Sequence, residues 1–157
     1  MLTDRFRKAL NYSFLLLKYR LRTTKEIKER LKKKRFEDSV IEKVIEYLQE
    51  HNYINDREFA YTFIKEKLER GFGIKKVISD LKRLGIHHSL AEEVLEEAKK
   101  EFNQQKILRR LIAKLYRRYK DKKKKREKII RYLLQRGFSY DEILRYLEED
   151  ENRFIEE

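Results

Sequence analysis

The stretch LKRLGIHHSLAEEVLEEA, residues 81–98, predicts the end of one helix, a tight turn and the start of a second helix. Its first apolar run stops at Gly85, and glycine tolerates the left-handed backbone that often ends a helix. Ser89, followed three residues later by Glu92, is a capping-box pattern that predicts the start of the next helix. Two further copies of the pattern are LKKKRFEDSVIEKVIEYL, residues 31–48, and LLQRGFSYDEILRYL, residues 133–147.

The three copies predict an internal repeat. Phe36, Ile86 and Phe138 hold the equivalent turn position, at spacings of 50 and 52 residues. Capping boxes are predicted at Ser39 with Glu42, Ser89 with Glu92 and Ser139 with Glu142. The first copy has no glycine, so Arg35 stands where a left-handed residue is expected, unless that turn is built differently.

Composition predicts a chain that is almost entirely helical. Charged residues make up 44% and apolar residues 40% of the 157 residues, with no Pro and four Gly. No run of alternating β-branched residues bounded by turn signals is present. We therefore expect an all-α fold of three tandem three-helix repeats, elongated and curved, with repeats at 1–54, 55–102 and 103–157.

Several classes of protein are excluded by what the sequence lacks. There is no Cys, which excludes disulfides and thiolate metal sites and fits a reducing compartment. The N-terminal residues lack the apolar core of a signal peptide, and the longest apolar run, residues 14–17, is too short for a membrane span. We expect a cytoplasmic monomer that contacts no membrane.

The net charge of +13 is concentrated at the two ends of the chain. Residues 1–50 carry +6, residues 51–102 carry 0 and residues 103–157 carry +7. Two basic ends around a neutral middle favour two contact zones for a polyanion. The alternative is that the charges serve only solubility, as solvated helical faces.

The predicted contact residues form two clusters, and aromatic side chains that could stack on single-stranded bases interleave with the second. The first cluster is Arg20, Arg22, Lys25, Lys28, Lys32, Lys33, Lys34 and Arg35. The second is Arg109, Arg110, Tyr116, Arg117, Arg118, Tyr119, Lys122, Lys123, Lys124, Lys125 and Arg126. The third helix of each repeat is instead rich in Glu, which argues against sequence-specific reading of the major groove by those helices.

No catalytic or metal-binding constellation is recognisable. His87 and His88 are adjacent in a predicted turn, an arrangement that rarely binds one ion and is better explained as a polar turn. Asp56 and Glu58 are explained by their place at the start of a helix that Asn55 caps. We expect no enzymatic activity and no cofactor.

Four stretches, one in the first repeat, two in the second and one in the third, resemble the RecX family of recombination regulators. They are YINDREFAYTFI with GFGIKKVISDLKRLGI (residues 53–64 and 71–86), LLQRGFSYDEI (133–143) and TTKEIKERLKKKRF (23–36). The resemblance covers roughly residues 9–147. One departure is Ile74, where the family often has Pro after Gly.

The resemblance implies a non-enzymatic modulator of the RecA recombinase, acting in DNA repair, recombination and the SOS response. Such proteins lie in the groove of the RecA filament on single-stranded DNA, where they limit filament growth, ATP hydrolysis and strand exchange. The implied partners are the RecA filament and single-stranded or double-stranded DNA. The alternative from the residues is a general nucleic-acid-binding or architectural protein that needs no protein partner.

Overall fold

The fold is all-α, in a computed structural model that describes the backbone of residues 2–119 and 123–155 and the side chains of 4–119 and 123–153. Nine helices and no strand occur in these described stretches, which confirms the predicted class. The helices are α1 (Leu2–Tyr19), α2 (Thr24–Lys33), α3 (Asp38–Glu50), α4 (Asp56–Glu69), α5 (Ile74–Arg83), α6 (His88–Lys99), α7 (Gln104–Arg118), α8 (Lys125–Gln135) and α9 (Tyr140–Ile155).

The chain divides into two compact units, each built from two separate segments. Unit 1 is Met1–Thr62 with Leu81–Ala91, and unit 2 is Phe63–Asp80 with Glu92–Glu157. In unit 1, α1, α2 and α3 pack around a core that includes Ile27 and Leu31. In unit 2, α7, α8 and α9 pack around a core that includes Ile112 and Leu133. Each core is formed by the apolar faces that helical spacing predicts.

The three repeated turns share one geometry. In each, a backbone N–H donates to the carbonyl five residues earlier, as in a Schellman motif. The bonds are Phe36 to Leu31 (3.2 Å), Ile86 to Leu81 (2.9 Å) and Phe138 to Leu133 (3.1 Å). The residue before each donor is left-handed, with φ of +62° at Arg35, +89° at Gly85 and +94° at Gly137. The predicted backbone conformation is therefore confirmed at all three turns, including the turn without glycine.

Each glycine turn packs closely against the helix of the preceding repeat. In unit 1, a Cβ added to Gly85 would lie 2.4 Å from Lys25 Cβ. In unit 2, a Cβ added to Gly137 would lie 2.6 Å from the backbone nitrogen of Lys76. Lys25 and Lys76 lie at the start of α2 and α5, so the same joint is built twice, once within each unit.

At each of these two contacts, the carbonyl group of the residue just before the glycine accepts a hydrogen bond from the preceding repeat. The buried Thr23 hydroxyl donates to the Leu84 carbonyl (2.6 Å), and the same oxygen accepts the N–H of Glu26 (3.2 Å) as the N-cap of α2. In unit 2 the N–H of Gly73 donates to the Arg136 carbonyl (2.7 Å). These bonds satisfy helix-end groups that would otherwise lack partners.

One of the three predicted capping boxes is confirmed, and two helices begin before their predicted caps. Ser139 and Glu142 bond reciprocally, each side chain accepting the other residue's backbone N–H at 3.2 Å. Helix α3 instead begins at Asp38, and its N-cap Glu37 makes no side-chain capping bond. Helix α6 begins at His88, because His87 supplies the cap: its Nδ1 accepts the N–H of Ser89 at 3.3 Å.

Candidate nucleic-acid interface

Helix α7 is basic over its whole length. It contains Lys106, Arg109, Arg110, Lys114, Arg117 and Arg118 and no acidic residue. Asn103 caps it, accepting the N–H of Lys106 at 3.0 Å, and its apolar side is buried through Leu108, Ile112 and Leu115. The helix therefore presents cations on every side that the core does not occupy.

Four of these cations form a stripe, which we call the outer stripe: Arg110, Lys114, Arg117 and Arg118. Their spacing of four, seven and eight residues puts them on one side of the helix, and all four are exposed. No ion pair or hydrogen bond ties these side chains to another described residue. The predicted set omitted Lys114, although its spacing from Arg110 could have identified it.

The remaining arginine of α7 points towards α9 and is engaged there. Arg109 donates to Glu149 at 2.9 Å, and its guanidinium lies 4.9 Å from the centre of the Tyr146 ring. On α8, Arg126 pairs with Glu151 at 2.6 Å and with Glu148 at 3.9 Å. Two predicted phosphate-binding arginines therefore already hold carboxylates.

Tyr116 is also held by α9 and α8. Its hydroxyl donates to Glu151 at 3.2 Å, and Lys125 Nζ lies 4.1 Å from the ring centre. Burial, reinforced by the Glu151 carboxylate, raises the pKa of the Tyr116 phenol. A base stacking on this ring would have to displace the Lys125 ammonium.

The other predicted residues of the second cluster differ in accessibility. Tyr119 is half-buried, with Lys128 Nζ 5.7 Å from its ring centre. Lys123 and Lys124 are exposed before α8 begins. Lys122 lies outside the described residues.

The acidic segment after Leu147 is helical. Helix α9 continues to Ile155, and Asp150 within it is buried. Burial raises the pKa of the Asp150 carboxyl, whose Oδ2 has no hydrogen-bond partner among the described residues. The segment is held in place because Glu149 and Glu151 find arginines on α7 and α8.

In the first cluster, two arginines converge on one carboxylate. Arg20 pairs with Glu26 at 2.6 Å and Arg22 pairs with the same oxygen at 3.5 Å. The Arg22 side chain is only 11% exposed and also donates to the Leu16 carbonyl at 3.3 Å. Burial lowers the pKa of the Arg22 guanidinium. Arg22 therefore has little surface to offer a phosphate.

The rest of the first cluster surrounds α2 and its closing turn. Lys25 donates to the Arg83 carbonyl at 3.2 Å, and Lys34 Nζ lies 5.2 Å from the centre of the Tyr12 ring. The backbone carbonyl of Arg35 accepts a hydrogen bond from Arg5 at 3.0 Å. The exposed side chains of the cluster that make no ion pair within the described residues are Lys28, Lys32, Lys33, Lys34 and Arg35.

The described residues contain no group of three or more His, Asp or Glu side chains placed to hold a metal ion. No helix among them combines the length and hydropathy that crossing a membrane requires. The exposed cations of the first cluster and of the outer stripe can bind anions through their ammonium and guanidinium groups.

Comparison with known proteins identifies the family. A family model described as "RecX, first three-helix domain" matches residues 9–48, and one described as "RecX, third three-helix domain" matches residues 103–147. The chain is 31% identical to the Regulatory protein RecX of Finegoldia magna, over 88% of this chain and 69% of that protein. It is 30% identical to that of Clostridium acetobutylicum, over 93% of this chain and 70% of that protein.

Solved structures agree with the sequence comparison. The crystal structure of RecX from Lactobacillus salivarius superimposes with a TM-score of 0.80 at 29% identity, covering 94% of this chain and 97% of that one. A second crystal structure, of regulatory protein RecX, superimposes with a TM-score of 0.76 at 22% identity, which shows the shared fold. The chain spans about two thirds of the length of several curated relatives. The chain therefore belongs to the RecX family of regulatory proteins.

Proposed function

We propose that this protein regulates the RecA recombinase by binding in the groove of the RecA filament on single-stranded DNA. There it limits filament growth, ATP hydrolysis and strand exchange. The proposal rests on membership of a family whose members are named regulatory proteins. The resemblance of this sequence to that family implies RecA as the partner. It assigns no catalytic role to any residue and requires no cofactor.

The outer stripe is the observation that supports contact with nucleic acid. Eight residues separate Arg110 from Arg118, so the stripe is about 12 Å long at the helical rise of about 1.5 Å per residue. That length matches about three to four successive phosphates at roughly 3.4 Å per nucleotide of a strand. Four cations that make no ion pair with another described residue could therefore follow one strand of a filament.

The first cluster supports a second, weaker contact. Lys28 and Lys32 are four residues apart on α2, so they lie on one side of that helix. Lys33 and Arg35 extend the positive surface to the end of the helix and into the closing turn. We propose that this surface contributes charge attraction, because its lysines are point charges without fixed geometry.

A second candidate function is general binding of nucleic acid without a protein partner. The same outer stripe favours it, because phosphate contacts alone can supply non-specific affinity. The two functions differ in what limits inhibition of RecA. A filament regulator acts at concentrations set by RecA filaments, whereas a coating protein acts only when it saturates the DNA.

The test is DNA-dependent ATP hydrolysis by RecA with this protein titrated in. Inhibition well below the amount that saturates DNA, and not relieved by further single-stranded DNA, supports the filament regulator. Inhibition only at saturating amounts, and relieved by added DNA, supports the second function. No effect on RecA at any ratio would overturn the first proposal.

Variants separate the contribution of the outer stripe. Arg117→Gln with Arg118→Gln should weaken single-stranded DNA binding and reduce its salt dependence, because two phosphate contacts are lost. Lys65→Gln with Lys75→Gln, exposed positions elsewhere in unit 2, removes the same charge and is the matched control. If inhibition of RecA falls in strict parallel with DNA affinity across such variants, DNA coating is the mechanism.

A further inference from the structure

The acidic side chains of α9 are placed where the proposed ligand would bind. Glu149 holds Arg109 at 2.9 Å, and Glu151 holds Arg126 at 2.6 Å and Tyr116 at 3.2 Å. Glu148 approaches Arg126 at 3.9 Å. These carboxylates therefore contact three of the residues predicted to contact nucleic acid.

A carboxylate in this position competes directly with a phosphate. Both anions accept hydrogen bonds from the planar guanidinium group, and an arginine fork bound to one is not available in the same geometry to the other. The outer stripe, one face away on α7, has no such partner in the part of the chain that the structure describes. Helix α7 thus carries one open set of cations and one arginine already satisfied within the chain.

We propose that Glu149 and Glu151 act as intramolecular phosphate substitutes that determine how tightly unit 2 binds nucleic acid. The inference rests on the proposed function, because it assumes that α7 and the start of α8 contact a nucleic-acid backbone. The carboxylates occupy Arg109 and Arg126, so that nucleic acid binds first through the outer stripe. Extension of the contact to Arg109 and Arg126 requires displacement of the two glutamates.

The proposal predicts a salt dependence different from that of a simple basic surface. An arginine that is already paired with a carboxylate exchanges one anion for another when it binds a phosphate. Its contribution to the affinity for nucleic acid is therefore small. An arginine without that carboxylate neutralises a phosphate and releases a condensed counterion. Each such contact adds about 0.7 to the slope of log affinity against log salt for single strands. Freeing both arginines should therefore add about 1.4 to the slope.

The alternative explanation is that these pairs only fasten α9 to the bundle. Arg109 and Glu149 are both 45% exposed, and Arg126 and Glu151 are 42% and 29% exposed. Pairs this exposed contribute little to stability. If fastening were their only role, replacing the glutamates could change the melting temperature but would not change the salt slope of binding.

The experiment compares Glu149→Gln/Glu151→Gln with the parent protein in binding labelled oligo(dT), measured by fluorescence anisotropy at several salt concentrations. Glu66→Gln/Glu69→Gln, at exposed positions of α4 in unit 2 that form no ion pair with another described side chain, makes the same change in net charge. Relative to this control, the α9 variant should have a slope steeper by about 1.4. Its affinity advantage should then grow about sevenfold as salt falls from about 0.4 M to about 0.1 M.

A single-residue comparison guards against loss of folding in the double variant. Glu151→Gln removes the carboxylate that Arg126 contacts at 2.6 Å and leaves only the 3.9 Å approach of Glu148, whereas Glu127→Gln removes an exposed carboxylate beside Arg126 that makes no ion pair within the described residues. The first should steepen the slope by about 0.7 and the second should not. Equal slopes for Glu151→Gln and Glu127→Gln, with helical content unchanged by circular dichroism, would overturn the proposal.

The outer-stripe variant shows which of the two proposals fails. If Arg117→Gln/Arg118→Gln weakens binding while the α9 variants behave like their controls, the nucleic-acid contact stands and the phosphate-substitute role is wrong. If the outer-stripe variant binds like the parent protein, α7 is not the nucleic-acid interface and the phosphate-substitute role falls with it, whereas the proposed regulation of RecA fails only if the ATP-hydrolysis assay shows no effect.

Discussion

Gly73→Ala tests the joint between the second and third repeats. A Cβ at this position would lie 2.3 Å from both the carbonyl carbon and the oxygen of Gly137, atoms of a backbone that cannot rotate away. Overpacking of this kind costs about 1–3 kcal/mol. Moving the turn aside would also lengthen the 2.7 Å hydrogen bond from Gly73 to Arg136, which contributes about 1 kcal/mol. We expect a loss of about 2–4 kcal/mol in the free energy of unfolding.

Thermal unfolding followed by circular dichroism measures this loss. For a chain of this length it corresponds to a fall of about 5–15 °C in melting temperature. Gly73 also precedes α5 and its carbonyl accepts the N–H of Val77, so a poorer N-cap is a competing cause. Gly73→Ser separates the two causes, because serine is a good N-cap but carries the same Cβ. Full recovery with serine, or a melting temperature within about 2 °C of the parent for both variants, would refute the close-contact reasoning.

Three further substitutions test single contacts. Arg35→Gly should raise the free energy of unfolding by about 0.5–1 kcal/mol, because the strain of an L-residue at φ of +62° exceeds the extra entropy that glycine loses on folding. An unchanged denaturation midpoint would contradict this. Thr23→Val should cost about 2–4 kcal/mol, because a capping bond and the bond to Leu84 are both lost, whereas Thr23→Ser should stay close to the parent; equal losses for both would implicate packing instead. The pKa of Asp150 is raised in the folded protein, so its contribution to stability is present below the unfolded pKa of about 4 and is lost as pH rises through the folded value. Asp150→Asn should therefore match the parent in acid and melt higher near neutrality; a difference in melting temperature that does not grow with pH would contradict the burial argument.

The features that the sequence predicts well are those decided within a few residues. The left-handed turns at Arg35, Gly85 and Gly137 follow from where an apolar run stops and restarts, and all three are confirmed. The capping box at Ser139 is equally local. At His87 the same reasoning fails, because the imidazole replaces serine as the capping acceptor and nothing in the helical spacing signals this.

The α9 contacts could not be predicted because their partners are distant in the chain. Arg109 and Glu149 are 40 residues apart, and Arg126 and Glu151 are 25 apart. In the sequence, the glutamates are an acidic end and the arginines are part of a basic cluster. Only the packing of α7, α8 and α9 brings them together and divides the predicted cluster into cations with and without partners.

Each unit is built from two separated segments of the chain, and this has consequences for synthesis and proteolysis of the protein. Unit 1 needs Leu81–Ala91, which the chain supplies only after Phe63–Asp80 of unit 2 has been synthesised. A nascent chain of 62 residues therefore contains α1, α2 and α3 but lacks part of the first unit, and the hydrogen bond from Thr23 to the Leu84 carbonyl forms only after the later segment has been synthesised. No single proteolytic cut releases either unit whole, because the chain passes between them three times. A protease that cleaves after Thr62 would leave a larger fragment that contains all of unit 2 together with Leu81–Ala91 of unit 1. The order of repeats and helices along the chain does not reveal this sharing of segments.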